Sequence, residues 1–91
     1  MDSNIQDTLE KIKGLPPEEA ILRLDEFLAL YPDCDEAFTI RGLKNWSINK
    51  RREAINDYLT ALKINPESRA RTALDYANSI LDFYSKDLLN P

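Results

Sequence analysis

Apolar residues recur along this chain at intervals of three and four in five stretches, each bounded by proline, glycine or a short polar turn. That period is helical, since strands would alternate every second residue. The spacing of Ile5, Leu9 and Ile12 predicts a short first helix from about Ser3 to Lys13, ending at Gly14 as a left-handed C-terminal residue. A second helix from Pro17 to Leu30 carries an apolar stripe of Ala20, Ile21, Leu24, Phe27, Leu28 and Tyr31, with Glu18, Arg23 and Asp25 on the opposite side.

A third helix opens near Asp35 after the Asp33-Cys34 turn and is apolar at Ala37, Phe38, Ile40, Leu43 and Trp46. This spread exceeds one narrow stripe and predicts a central helix touched from several sides. A fourth, from Arg51 to Lys63, carries Ala54, Ile55, Tyr58, Leu59, Ala61 and Leu62 and stops at Asn65-Pro66. The fifth follows Pro66, with Asn65 or Ser68 as cap, and presents Ala70, Ala73, Leu74, Ala77, Ile80, Leu81 and Tyr84 along one side. The prolines at 16, 17, 32 and 66 partition the chain, because proline suits a helix start or the residues past its end and harms the interior.

Aligned against itself, the chain repeats at an offset of 34: Glu19 with Glu53, Ala20 with Ala54, Ile21 with Ile55, Leu24 with Tyr58, Leu28 with Leu62, Leu30 with Ile64 and Pro32 with Pro66. The better unit reads Phe38-x2-Arg41-Gly42-x2-Asn45, then Ala54-x3-Tyr58, Ala61 and Pro66. Gly42 and Ala54 lack bulk and let two helices approach, while Phe38, Tyr58 and Leu62 fill the space beside them.

In this period and order of small and large residues, the chain resembles the tetratricopeptide repeat family. The resemblance implies an all-α array of antiparallel helix-turn-helix units: a degenerate repeat in residues 1–34, a well-matched one in 35–68, and a capping helix with a tail in 69–91. Two residues depart from the family pattern, Arg41 where a large aliphatic residue is usual and Asn45 where an aromatic is usual. Either the third helix is rotated or these two are half exposed, with the arginine head extending to solvent. Asn49 stands in place of a customary turn glycine, and asparagine tolerates the left-handed conformation.

The first helix of each unit in that family lines a concave groove for peptides or partner helices. The resemblance therefore assigns Glu36, Thr39, Leu43, Trp46 and Ser47 to such a groove, with Ala70, Ala73, Ala77 and Ile80 from the fifth helix as a floor of small residues. Alternatively, Leu43 and Trp46 simply pack between the third and fifth helices. The family's clamp for chaperone C-terminal carboxylates needs lysines and asparagines; Ile5, Leu9, Thr39, Leu43 and Ala73 stand at the comparable places, so that activity is not expected.

Composition narrows the function further. The 91 residues allow one small domain with a thin core, and 43% hydrophobic with 31% charged residues predicts a folded chain. No apolar run approaches the roughly 20 residues of a membrane span, and the first residues do not read as a secretory signal, so a cytoplasmic location is expected. There is no histidine, no glycine-rich phosphate loop and a single cysteine, Cys34, expected as a free thiol in a turn. Catalysis, a metal site and a cofactor are not expected.

The net charge of −4 argues against nucleic acid as a partner. It is uneven: residues 1–34 hold eight acids against three bases, and residues 35–91 eight against nine. Lys50-Arg51-Arg52, with Arg69 and Arg71 nearby, forms a basic patch that would suit an acidic partner. The apolar tail from Phe83 to Pro91 either folds back on its own domain or pairs with a symmetry mate in a homodimer. The expected activity is protein binding.

Overall fold

The computed structural model describes residues 3–89, with side chains from 4 to 83. Five helices make up the described chain, with no strand among the described residues: α1 Ser3–Lys13, α2 Pro17–Leu30, α3 Asp35–Ser47, α4 Arg51–Ile64 and α5 Ala70–Leu89. No helix among the described residues is long and apolar enough to cross a membrane.

The helix ends follow local chemistry. Lys11 and Lys13 lie in the last turn of α1, where cations face the negative end of the helix dipole. At Gly14 the chain leaves α1 through two tight turns, Gly14 N–H to Lys11 O (3.2 Å) and Leu15 N–H to Ile12 O (3.0 Å). No glycine has a positive φ, so the expected left-handed Gly14 is corrected: three-residue turns feed directly into the stiff Pro16-Pro17 pair. The residue in the left-handed region is Asn49, at φ 66°. It closes α3 in a Schellman arrangement, with Lys50 N–H donating to Asn45 O (2.9 Å) and Asn49 N–H to Trp46 O (3.1 Å). Ser68 Oγ accepts from Ala70 N–H at 3.1 Å and caps α5, while Asn65 Oδ1 accepts from Glu67 N–H at 3.0 Å and shapes the turn ahead of it. Both candidate caps are thus engaged, in different roles.

α3 is central, packing against α2, α4 and α5. Two apolar clusters flank it. The first joins Leu9 and Ile12 of α1, Ala20, Leu24, Phe27 and Leu28 of α2, and Ala37 and Ile40 of α3. Cys34 belongs to it as well, so the thiol is buried rather than open in its turn. The second joins Ala54, Tyr58 and Ala61 of α4 to Ala70, Leu74 and Ala77 of α5. Phe38 packs against both.

Between α3 and α4 the approach is close because Gly42 has no side chain. A Cβ there would stand 2.5 Å from Tyr58 Cε1, 2.8 Å from Cδ1 and 3.1 Å from the Ala54 carbonyl oxygen.

The polar residues of α3 are satisfied within the fold. Arg41 donates through Nε and Nη2 to both oxygens of Asp57 (3.1 and 2.8 Å) and through Nη1 to Asp25 (2.9 Å). Asn45 Nδ2 donates to Asp57 Oδ2 at 3.2 Å. Of the two alternatives, half exposure holds for Arg41, whose side chain is 24% exposed and reaches the exposed Asp25, and fails for Asn45. Asn45 is 6% exposed, and the arginine head is held by a buried carboxylate that the charge-assisted fork recognises with both oxygens. That hydrogen bonding to Asp57 also raises the Arg41 pKa above its usual value. On the other side of α3, the Lys44 ammonium donates to the carbonyl oxygens of Lys13 (2.7 Å) and Leu15 (3.0 Å), tying α3 to the end of α1.

Candidate functional site

An open groove of about 820 Å³ lies between α3 and α5. One wall is α3, where residues three and four apart bring Glu36, Thr39, Leu43 and Trp46 onto one face. The other wall is the start of α5, where Thr72, Ala73 and Tyr76 share a face by the same spacing, with Arg69 in the turn just before it. Thr39 and Ser68 meet across the bottom at 3.2 Å, and Thr39 Oγ1 also donates to Asp35 O at 2.9 Å, so both hydroxyls are internally bonded. The Tyr58 side chain reaches the groove from α4. Burial, with the neighbouring Asp57 charge adding to it, pushes its phenol pKa up to about 12.

The two ends of the groove differ chemically. Toward the C-terminal end of α3, Leu43 is 49% exposed and Tyr76 61% exposed, a large amount for apolar side chains on facing walls. Trp46 lies half-buried, edge-on to Tyr76 with ring centroids 6.3 Å apart, and the Arg51 guanidinium stacks over its ring at 4.5 Å. Toward the N-terminal end of α3 the lining is charged: Asp35, Glu36, Glu67 and Arg69. Arg69 Nη2 donates to Glu36 Oε1 at 2.8 Å, bridging the walls. Asp35 Oδ2 accepts from Asn65 Nδ2 at 3.3 Å.

Of the residues assigned by resemblance, Glu36, Thr39, Leu43, Trp46 and Ala73 line this groove. Ser47 borders an adjoining shallow depression that shares Lys13, Ile40 and Leu43 with the groove and adds Pro17 and Lys44. Ala70 and Ala77 are enclosed in the α4–α5 core, and Ile80 is half-buried outside the groove. The expected alanine floor is therefore reduced to Ala73, because α5 turns its alanine stripe toward α4. Leu9 is likewise core, and Ile5 packs against it. Trp46 packs against the α4–α5 cluster and borders the groove.

The basic patch is also corrected. Arg51 stacks on Trp46 in the last turn of α3, whereas Arg69 pairs with Glu36 in its first turn, so the two stand at opposite ends of that helix. Of the apolar tail, Phe83 is exposed, and the side chains from Tyr84 onward lie outside the described residues.

Sequence reasoning missed Tyr76, Thr72 and Glu67. The available signal was the spacing of Thr72 and Tyr76, which share a face with Ala73. Among the described residues no three of His, Cys, Asp and Glu stand together as a metal site. The Cys34 thiol has its pKa raised by burial, which works against thiolate chemistry. No family model matches the chain, and comparison with characterised proteins and with solved structures gives no match either.

Proposed function

We propose that this chain is a non-enzymatic protein-interaction module, built on tetratricopeptide-type helical repeats, that takes a peptide or partner helix into the α3–α5 groove. The observation that carries the reading is the pair Leu43 and Tyr76, exposed on facing walls beside the half-buried Trp46. Tyrosine and tryptophan at the centre of an interface contribute much of the energy in protein recognition, and apolar grooves seat the apolar face of partner peptides and helices. The repeat offset of 34, the small-against-large packing at Gly42 and the left-handed Asn49 support the fold assignment. With no histidine in the chain and its lone thiol buried, the reading involves no catalytic step.

The test is selection of displayed random peptides on the wild-type protein, followed by rebinding to Leu43→Asp. Because Leu43 is half out of the fold, the aspartate leaves helix content intact while removing apolar groove surface. Peptides retained by wild type and lost by Leu43→Asp support the reading; indifference to the substitution sinks it.

A homodimer is the second reading. It is favoured by Tyr76 and Phe83, both exposed and seven residues apart on α5. Light scattering over a wide concentration range separates the two. A monomer throughout leaves the groove open, whereas a stable dimer dissociated by Tyr76→Lys would mean that the chain is its own partner.

A further inference from the structure

The two ends of the groove call for different groups on whatever occupies it. At the start of α3 the walls carry three carboxylates, Asp35, Glu36 and Glu67, and one cation, Arg69. Arg69 answers only Glu36, and it is the loosely held partner of that pair, with a side chain 77% exposed against 20% for the glutamate. The starts of α3 and α5 each add about half a positive charge. The sum is still close to one net negative charge. At the other end no carboxylate lines the groove among the described residues: Arg51 already covers a face of Trp46, and Lys13, which also lines the groove, has its own partner in Glu10 at 3.2 Å. A cation is therefore attracted at the carboxylate end and finds no counter-charge at the aromatic end.

Resting on the reading above, we propose that the groove selects peptides carrying both a lysine or arginine and a large apolar residue. The base lies against Asp35, Glu36 and Glu67, and the apolar side chain against Leu43, Trp46 and Tyr76. From Asp35 to Leu43 is eight helical steps, about 12 Å. That separation corresponds to about four positions of an extended peptide at ~3.3 Å each, or about eight of a helical one. The carboxylates determine which peptides bind and in which direction they lie, while the apolar end supplies most of the affinity.

The experiment uses the peptides recovered from the random library, resynthesised and titrated against the full chain by following Trp46 fluorescence. Enrichment of a basic and an apolar residue at one of these spacings supports the proposal. So does a loss of affinity of about fivefold or more on Glu67→Lys at low salt, shrinking as salt rises. Glu67 engages the turn through its backbone N–H, so that substitution leaves the turn bonded. Recovered peptides that are acidic or neutral, or affinities unmoved by Glu67→Lys, overturn the charge assignment while leaving groove binding in place. Peptides that bind Leu43→Asp as well as wild type, or no retained peptide at all, overturn groove binding and this proposal together.

Discussion

Gly42→Ala sets two known effects against each other at one methyl group. Alanine is a better helix former than glycine by about 1 kcal/mol, so in an open helix the substitution stabilises. Here the added Cβ would lie 2.5 and 2.8 Å from two carbons of the Tyr58 ring, with the Ala54 carbonyl oxygen at 3.1 Å. The ring is the central part of a side chain 1% exposed, enclosed by α4 and α5, and the carbonyl belongs to the α4 backbone; neither is a flexible tip. Overpacking of this kind costs about 1–3 kcal/mol, and contacts below 3 Å on two atoms put it at the upper end. The net expectation is a loss of about 2 kcal/mol after the propensity gain is subtracted. Urea denaturation followed by far-ultraviolet circular dichroism measures it, as a lower midpoint at unchanged slope. In a Tyr58→Val background, which lacks both contacting ring carbons, the loss on the same change should shrink to what the remaining Ala54 carbonyl contact imposes; trimethylamine N-oxide keeps that cavity-bearing chain folded for the comparison. A wild-type or higher midpoint for Gly42→Ala alone would refute the argument, because it would mean the ring moves aside at negligible cost.

Three further outcomes follow from other contacts. Asp57→Ala removes the acceptor of Arg41 Nε and Nη2 and of Asn45 while Asp25 still holds Nη1, and should destabilise by about 3 kcal/mol, whereas Asp25→Ala, on the exposed side of the same arginine, should cost under about 1 kcal/mol; equal losses in thermal melts would contradict the buried-fork account. The raised Tyr58 pKa means that folding favours the neutral phenol, so its contribution is complete below pH 10 and is lost as pH rises toward 12. Tyrosinate absorbance and helix signal recorded together should then show one tyrosine ionising only as the fold melts, and an ionisation finished before any melting contradicts it. The Cys34 thiol, buried and raised in pKa, should react with a disulfide reagent far more slowly in buffer than in urea; similar rates in both would place it at the surface.

The helices were legible because periodicity and proline placement are local signals, and Pro17, Asp35 and the Asn65-Pro66 stop each mark a boundary by their own chemistry. The close approach at Gly42 was legible for the same reason, since a glycine inside a helix has few other uses. The Asp57 fork was not. Its partners lie 16 and 12 residues away, and a hydrophobic pattern reports which face is apolar without saying which polar groups meet. Its trace was present as two residues out of pattern, Arg41 and Asn45, both of which Asp57 accounts for. The groove was legible on its α3 wall and misassigned on α5, because the alanines that looked like an open floor are what lets α5 lie close to α4.

The tie between α1 and α3 has a different kind of consequence. Lys44 reads two main-chain carbonyls, those of Lys13 and Leu15, rather than the side chains beside them. Every residue type has that oxygen, so the identities at 13 and 15 are free to vary without touching the link. All of that link's chemical information sits at one position, 44, whereas the rest of the first helix's attachment is spelled out by its own Leu9 and Ile12 in the core.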